Sequence, residues 1–165
     1  MTLAYETDKA VKNLIEYYQS ANRDVVIAFF GDHMPNLSAA FYEELNNGAF
    51  DTLDEQMRKQ KVPFFIWANF DIAEKEVPCS SINYLSTYVL EAAGIPLPPY
   101  HQFLSQTESA IPAINAYGYY SQELQGFVSV EEATNTETAA IEAYNILQYN
   151  NAIDKANRSE YFFEP

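Results

Sequence analysis

In "VVIAFFGDHMPN", Val25 to Asn36, six apolar residues run straight into a glycine, an acid and a histidine, and a proline follows two residues on. A continuous rather than alternating apolar run reads as a strand buried on both faces, the kind found in parallel sheets covered by helices. In such sheets, sites form beyond the carboxyl ends of the strands, and Gly31, Asp32 and His33 stand at that end. Glycine lets the chain turn sharply and lets other groups approach. Asp32 offers a carboxylate oxygen and His33 an imidazole nitrogen, a donor set that suits Zn²⁺ or Mn²⁺ better than Ca²⁺. Neighbours on a straight strand point to opposite faces, so both reach one ion only if the chain bends at Gly31. Pro35 would then stiffen the exit. An Asp-His pair after a strand also serves as a capping acid beside a half-buried histidine. Two ligands fall short of the three, plus an open position, that a catalytic metal site needs.

Outward from this stretch, helices and strands alternate. "TDKAVKNLIEYYQSAN" predicts an amphipathic helix with Thr7 as cap and Val11, Leu14, Ile15 and Tyr18 on one face. Val25 to Phe30 is the first strand. "LSAAFYEELNN" and "DTLDEQMRKQ" predict two helices, "VPFFIWANF" a second buried strand and "FDIAEKEVP" a loop. "SSINYLSTYVLEAAGIP" predicts a serine-capped helix with a stripe of Ile82, Leu85, Val89 and Ala92, stopped by Gly94 and Pro96. The prolines of "PLPPYHQFLSQTES" suit a helix entry. "IPAINAYGYYSQELQGF" reads as irregular and tyrosine-rich. A last long helix follows, where Thr134 and Glu137 have capping-box spacing. The order implies an α/β fold. Two strands are too few for a sheet of that class, so the chain reads as part of a larger α/β domain: either further strands escape the reading or the N-terminal half of the domain is not in this chain.

Composition narrows the partners. The 165 residues suffice for one domain with a core, and 48% are apolar. Nine basic residues against 23 acidic ones give a net charge of −14, which disfavours nucleic acid and an unaided grip on an anionic membrane. The single cysteine, Cys79, leaves no intramolecular disulfide. No apolar run approaches a membrane span and no signal peptide is visible, so the expectation is a soluble chain.

Other site candidates are weaker. His101 has no ligand partner at helical spacing. Glu6 and Asp8 suit the opening of a helix, and Glu131 and Glu132 suit solvent. Cys79 has no evident base beside it, and no threonine reads as a nucleophile poised at a strand end. The tyrosines suit a sugar-binding surface, or simply the half-buried surfaces of an α/β fold.

The residues also carry a resemblance. "VVIAFFGDHMP" resembles the metal-binding strand end of the sulfatase-like branch of the alkaline phosphatase superfamily. With "YETDKAVKNLIEYY" before it and "VPFFIWANFDI", "SSINYLSTYVLEAAGIPLPPYHQFL", "IPAINAYGYY" and "YNILQYNNAIDKANRSEYFF" after it, the chain resembles the C-terminal part of lipoteichoic acid synthase-type phosphoglycerol transferases. The resemblance implies one partial domain over residues 1–165, the C-terminal portion of a sulfatase-like catalytic domain with a mostly parallel sheet flanked by helices. Asp32 and His33 would be two ligands of a divalent metal, manganese in most of that family, with Zn²⁺ or Mg²⁺ as alternatives. The threonine nucleophile, the glutamate ligand and further substrate-binding residues would lie upstream, so no catalytic residue is assigned here. The parent would be membrane-anchored, would work on the outer face of the bacterial membrane, and would take glycerol phosphate from a phospholipid in envelope polymer synthesis. The partners implied are the N-terminal part of the same domain and, through an open strand edge, a second copy. Rival readings are a fragment of a sulfatase or phosphoethanolamine transferase, or a non-catalytic module that binds an envelope glycan or a protein.

Overall fold

A computed structural model describes residues 2–163. Its elements run α1 (Thr2–Gln19), β1 (Val26–Phe30), α2 (Ala39–Asn46), α3 (Leu53–Lys59), β2 (Phe64–Ala68), α4 (Ile82–Ala92), α5 (Pro99–Ala110), β3 (Tyr119–Ser121), β4 (Gly126–Val128), α6 (Asn135–Ala152) and α7 (Glu160–Phe163). The α/β class holds.

The direction of strand pairing differs from expectation. β1 and β2 pair antiparallel, Val26 opposite Ala68 through Phe30 opposite Phe64. A continuous apolar run says that both faces are apolar, not which way the neighbour runs. Nor is either strand fully buried: every residue of both is half-buried except the exposed Phe30. The even positions of β2 face the helices, where Phe64 and Ile66 pack on Tyr84, Tyr88 and Leu104. On the other face Phe29 stacks on Phe65 with ring centroids 5.3 Å apart.

The expected helices form, with shifted details. α1 begins at Thr2, so Thr7 lies inside it rather than capping it. Val11, Ile15 and Tyr18 are half-buried, whereas Leu14 is exposed. Asn69, just past β2, ties this helix to the sheet: its Oδ1 accepts from Val25 N at 2.9 Å, and its Nδ2 donates to Tyr18 O and Arg23 O. In α4 the buried face is Tyr84, Leu85, Thr87 and Tyr88, while Ile82 is 62% exposed. The predicted stripe is therefore rotated by about one position: the tyrosine rings supply more apolar area than the isoleucine, and their hydroxyls find partners. Tyr84 donates to Ile111 O at 2.9 Å. The helix stops at Gly94, at φ +67°, where Ile95 N–H returns to Leu90 O.

The segment read as irregular holds a second sheet. β3 and β4 form an antiparallel hairpin, turned by Gln125 at φ 54°. Tyr119 of this hairpin joins Ile111 and Ile141 in a second core cluster. Glu137 locks the hairpin to α6. Besides its capping box with Thr134, its carboxylate accepts from Tyr119 Oη at 2.9 Å and Ser121 Oγ at 2.6 Å.

Candidate metal centre

The first strand ends at Phe30, and the chain turns one residue later than the bend expected at Gly31. Gly31 N–H donates to Pro63 O at 3.0 Å, one last rung beyond the strand. A β-carbon on Gly31 would stand 2.8 Å from Val62 Cβ. Glycine is therefore needed here for close approach to the neighbouring segment. The chain then bends at Asp32. Its exit is tied down by Tyr42 of α2, whose hydroxyl donates to Pro35 O at 3.1 Å.

The bend brings the two donors together. His33 Nε2 lies 3.5 Å from Asp32 Oδ2. Metal–nitrogen and metal–oxygen bonds of about 2.1 Å at a tetrahedral angle would separate their donor atoms by about 3.4 Å. His33 Nδ1 is 2.9 Å from Met34 O. A carbonyl only accepts, so Nδ1 carries the proton and Nε2 presents its lone pair. A backbone carbonyl that fixes the ring in this way is a common support for a ligating histidine. Asp32 Oδ1 accepts from His33 N at 2.8 Å, which leaves Oδ2 as the outward donor. That backbone bond, the largest cause, holds the Asp32 carboxyl below its ordinary range. The pair thus fits a divalent ion in donor type, tautomer and spacing. Both side chains are largely exposed, 83% and 75%, and so are open to further ligands. Among the described residues no group of three or more His, Cys, Asp or Glu is placed to hold an ion.

Asp32 also borders an open cleft that runs along β2 and the 70–81 loop to Tyr117 and Phe127. No threonine lines it among the described residues. Thr52 and Thr134 cap helices, while Thr87 is buried and bonds His101 Nδ1 at 3.1 Å. His101 is thus a structural histidine, and burial pushes its pKa down. Burial pushes the Cys79 thiol up, partly offset by the charge of Lys61. Glu6 pairs with Lys9 on an exposed helix face, and Glu131 and Glu132 are exposed. The tyrosines serve the core more than the surface: Tyr84 and Tyr119 are fully buried, although Tyr117 is 53% exposed at the cleft. Nothing in the sequence marked Lys61, or the contacts of Glu137 beyond its capping box, because each depends on contacts made across the fold.

The family model described as Sulfatase matches residues 1–95, a stretch that includes β1, Asp32, His33 and β2. The chain belongs to the sulfatase family. It is also similar to a protein of Rhizobium meliloti (strain 1021) named for cyclic beta-1,2-glucan modification, at 23% identity over 164 residues, 96% of this chain and 26% of that protein. Its fold is similar to that of the Streptococcus pyogenes phosphoglycerol transferase GacH in complex with sn-glycerol-1-phosphate. The TM-score is 0.66 and the identity 17%, over 96% of this chain and 36% of that one. The likeness shows the sulfatase-like α/β fold across nearly all of the chain. The chain spans about a quarter of the first relative and about a third of the second.

Proposed function

We propose that this chain is the part of a metal-dependent phosphoglycerol transferase that presents Asp32 and His33 as two ligands of a divalent ion. The convergence of their donor atoms at 3.5 Å, at the end of β1 in a sulfatase-like fold, carries the reading. Asp32 through Oδ2 and His33 through Nε2 would hold the ion, manganese by the resemblance, with Zn²⁺ or Mg²⁺ as alternatives. Bound there, a divalent ion lowers the pKa of a hydroxyl nucleophile and neutralises charge on phosphoryl oxygens.

This chain's own residues orient the donors. Met34 O holds the imidazole with its lone pair outward, His33 N–H turns the Asp32 carboxylate, and contact between Gly31 and Val62 fixes the strand end behind them. In this reading the nucleophile and the other ligands belong to residues outside the chain. The donor is a phospholipid-derived glycerol phosphate, used on the outer face of a bacterial membrane for envelope polymer or glycan synthesis. GacH, the structural relative, is a phosphoglycerol transferase, and the name of the Rhizobium relative supports a glucan as the class of acceptor. No described helix is long and apolar enough to cross a membrane, so an anchor would lie elsewhere in the parent.

The test is diacylglycerol release from phosphatidylglycerol by the full-length protein with Mn²⁺. His33→Ala should lower turnover by at least about 100-fold, since even groups behind metal ligands cost 10–100-fold. Its thermal melting should be unchanged, because the side chain is exposed. The 165-residue chain alone should show no turnover. Equal turnover of wild type and His33→Ala would refute the reading, and hydrolysis of a sulfate ester in place of the phospholipid would move it to a sulfatase.

A further inference from the structure

The cleft beside Asp32 contains a cation that the fold does not neutralise. Two lysines line it, Lys61 and Lys75. Lys75 is paired with Glu91 at 3.7 Å and lies over the Tyr88 ring. Among the described residues Lys61 has no carboxylate within 4.0 Å, in a chain with 23 acids to choose from. Its ammonium instead stands 5.2 Å from the centroid of the Phe127 ring, a contact that holds a cation without cancelling its charge.

The backbone brings the segment that leads into this lysine beside the end of β1. β1 and β2 are in register to Phe30 opposite Phe64, and the bond from Gly31 N to Pro63 O continues the ladder by one step. The ladder ends there as the chain bends at Asp32, and Lys61, two residues before Pro63, lines the same cleft as Asp32. The platform beneath it comes from elsewhere. Phe127 belongs to the β3–β4 hairpin, beyond the matched residues 1–95. That hairpin is seated on α3, where Leu53 lies against Gly118 and α3 leads directly into Lys61.

We propose that Lys61 is the anion-holding residue of this cleft, carried on Phe127 in the cleft that Asp32 also lines, and that it takes the oxygens of a phosphate group. This rests on the metal reading above. Asp32, Asp71, Glu74, Glu76 and Glu91 also line the cleft and repel an anion. Phosphate is therefore held only when a divalent ion offsets the carboxylate end and Lys61 supplies the second positive group. The role resembles a point-charge phosphate contact made by lysine, not the planar fork of arginine.

The experiment uses the protein at full length, with inorganic phosphate as probe. Mn²⁺ binding is followed by electron paramagnetic resonance and phosphate binding by calorimetry, with and without Mn²⁺. Lys61→Met should weaken phosphate binding in the presence of Mn²⁺ by about tenfold or more, the worth of one charge-assisted hydrogen bond. It should leave Mn²⁺ affinity and the circular dichroism spectrum unchanged. Lys61→Arg should restore most of the binding. Phe127→Leu should weaken phosphate about two- to fivefold, the worth of the cation–ring contact. Phosphate binding by Lys61→Met equal to wild type, with Mn²⁺ bound, overturns the proposal. Mn²⁺ affinity indifferent to His33→Ala overturns the metal reading instead. A Lys61→Met effect that survives there upholds the lysine by itself, and the absence of any effect overturns both.

Discussion

A β-carbon at position 31 would stand 2.8 Å from Val62 Cβ and 3.1 Å from its Cγ1. Those atoms are the stem of a stiff, branched side chain, not a flexible tip, so the backbone would have to give way. Gly31→Ala should therefore cost about 2 kcal/mol, within the usual range for overpacking, read as a fall in Tm of roughly 4–8 °C for a domain of this size. An unchanged melting curve would show that the 62–63 segment yields freely and that glycine is not needed there. The sequence pointed to Asp32, His33 and the need for a glycine before them, since all three are local. The close approach that this glycine admits was legible; its partner was not, because Val62 stands 31 positions later and no local pattern could bring it into view. Lys61 was illegible for the same reason, because what sets it apart is that no acid among the described residues pairs with it in space.

Thr134 and Glu137 were legible as a capping box from their spacing alone. The larger task of Glu137, holding the β3–β4 hairpin, was not, because the hairpin itself was missed. Its strands have three residues each, too short to show alternation, and its turn uses Gln125 rather than an asparagine or aspartate before the glycine. Burial alone would raise the Glu137 carboxyl. The hydroxyls of Ser121 and Tyr119 and the N–H and hydroxyl of Thr134 outweigh it and hold the pKa below the ordinary value of 4.5. On the other side of that bond, burial and then the Glu137 carboxylate push the Tyr119 hydroxyl up to about 12. A carboxyl whose pKa is lowered on folding stabilises fully above its unfolded value, and that contribution fades as pH falls through the lowered one. The protein should lose stability from about pH 4.5 downward, and Glu137→Gln should flatten this dependence. At neutral pH the same change should cost about 2 kcal/mol, because it leaves hydroxyl donors facing an amide. Denaturant midpoints of both proteins between pH 3 and 7 test this, and parallel curves would show that another group governs acid sensitivity.

Among the described residues the first sheet has only two strands, half-buried except at the exposed Phe30, and each has an outer edge that no strand pairs. Its helix-facing side is packed on α4, but Ile27, Phe29, Phe65 and Trp67 on the other side stay half-exposed. The continuous run of Val25 to Phe30 pointed to a strand buried on both faces, whereas β1 and β2 are apolar on both faces but only half-buried. The direction of their pairing was not legible, since it depends on which segments come together across the fold. Exposed apolar faces and open edges are templates for further pairing. A net charge of −14 opposes association and is screened by salt. The chain alone should therefore associate through the β1–β2 sheet, and more strongly as salt is raised. Trp67, the single tryptophan, reports on this surface directly. Its emission should shift to the blue as concentration and ionic strength increase, in step with a rising sedimentation coefficient. Replacing Phe65 by lysine on the same face should abolish both changes while leaving the monomer's circular dichroism intact. A strictly monomeric chain that binds no apolar dye and whose tryptophan emission ignores concentration would mean that this face is quiet in solution.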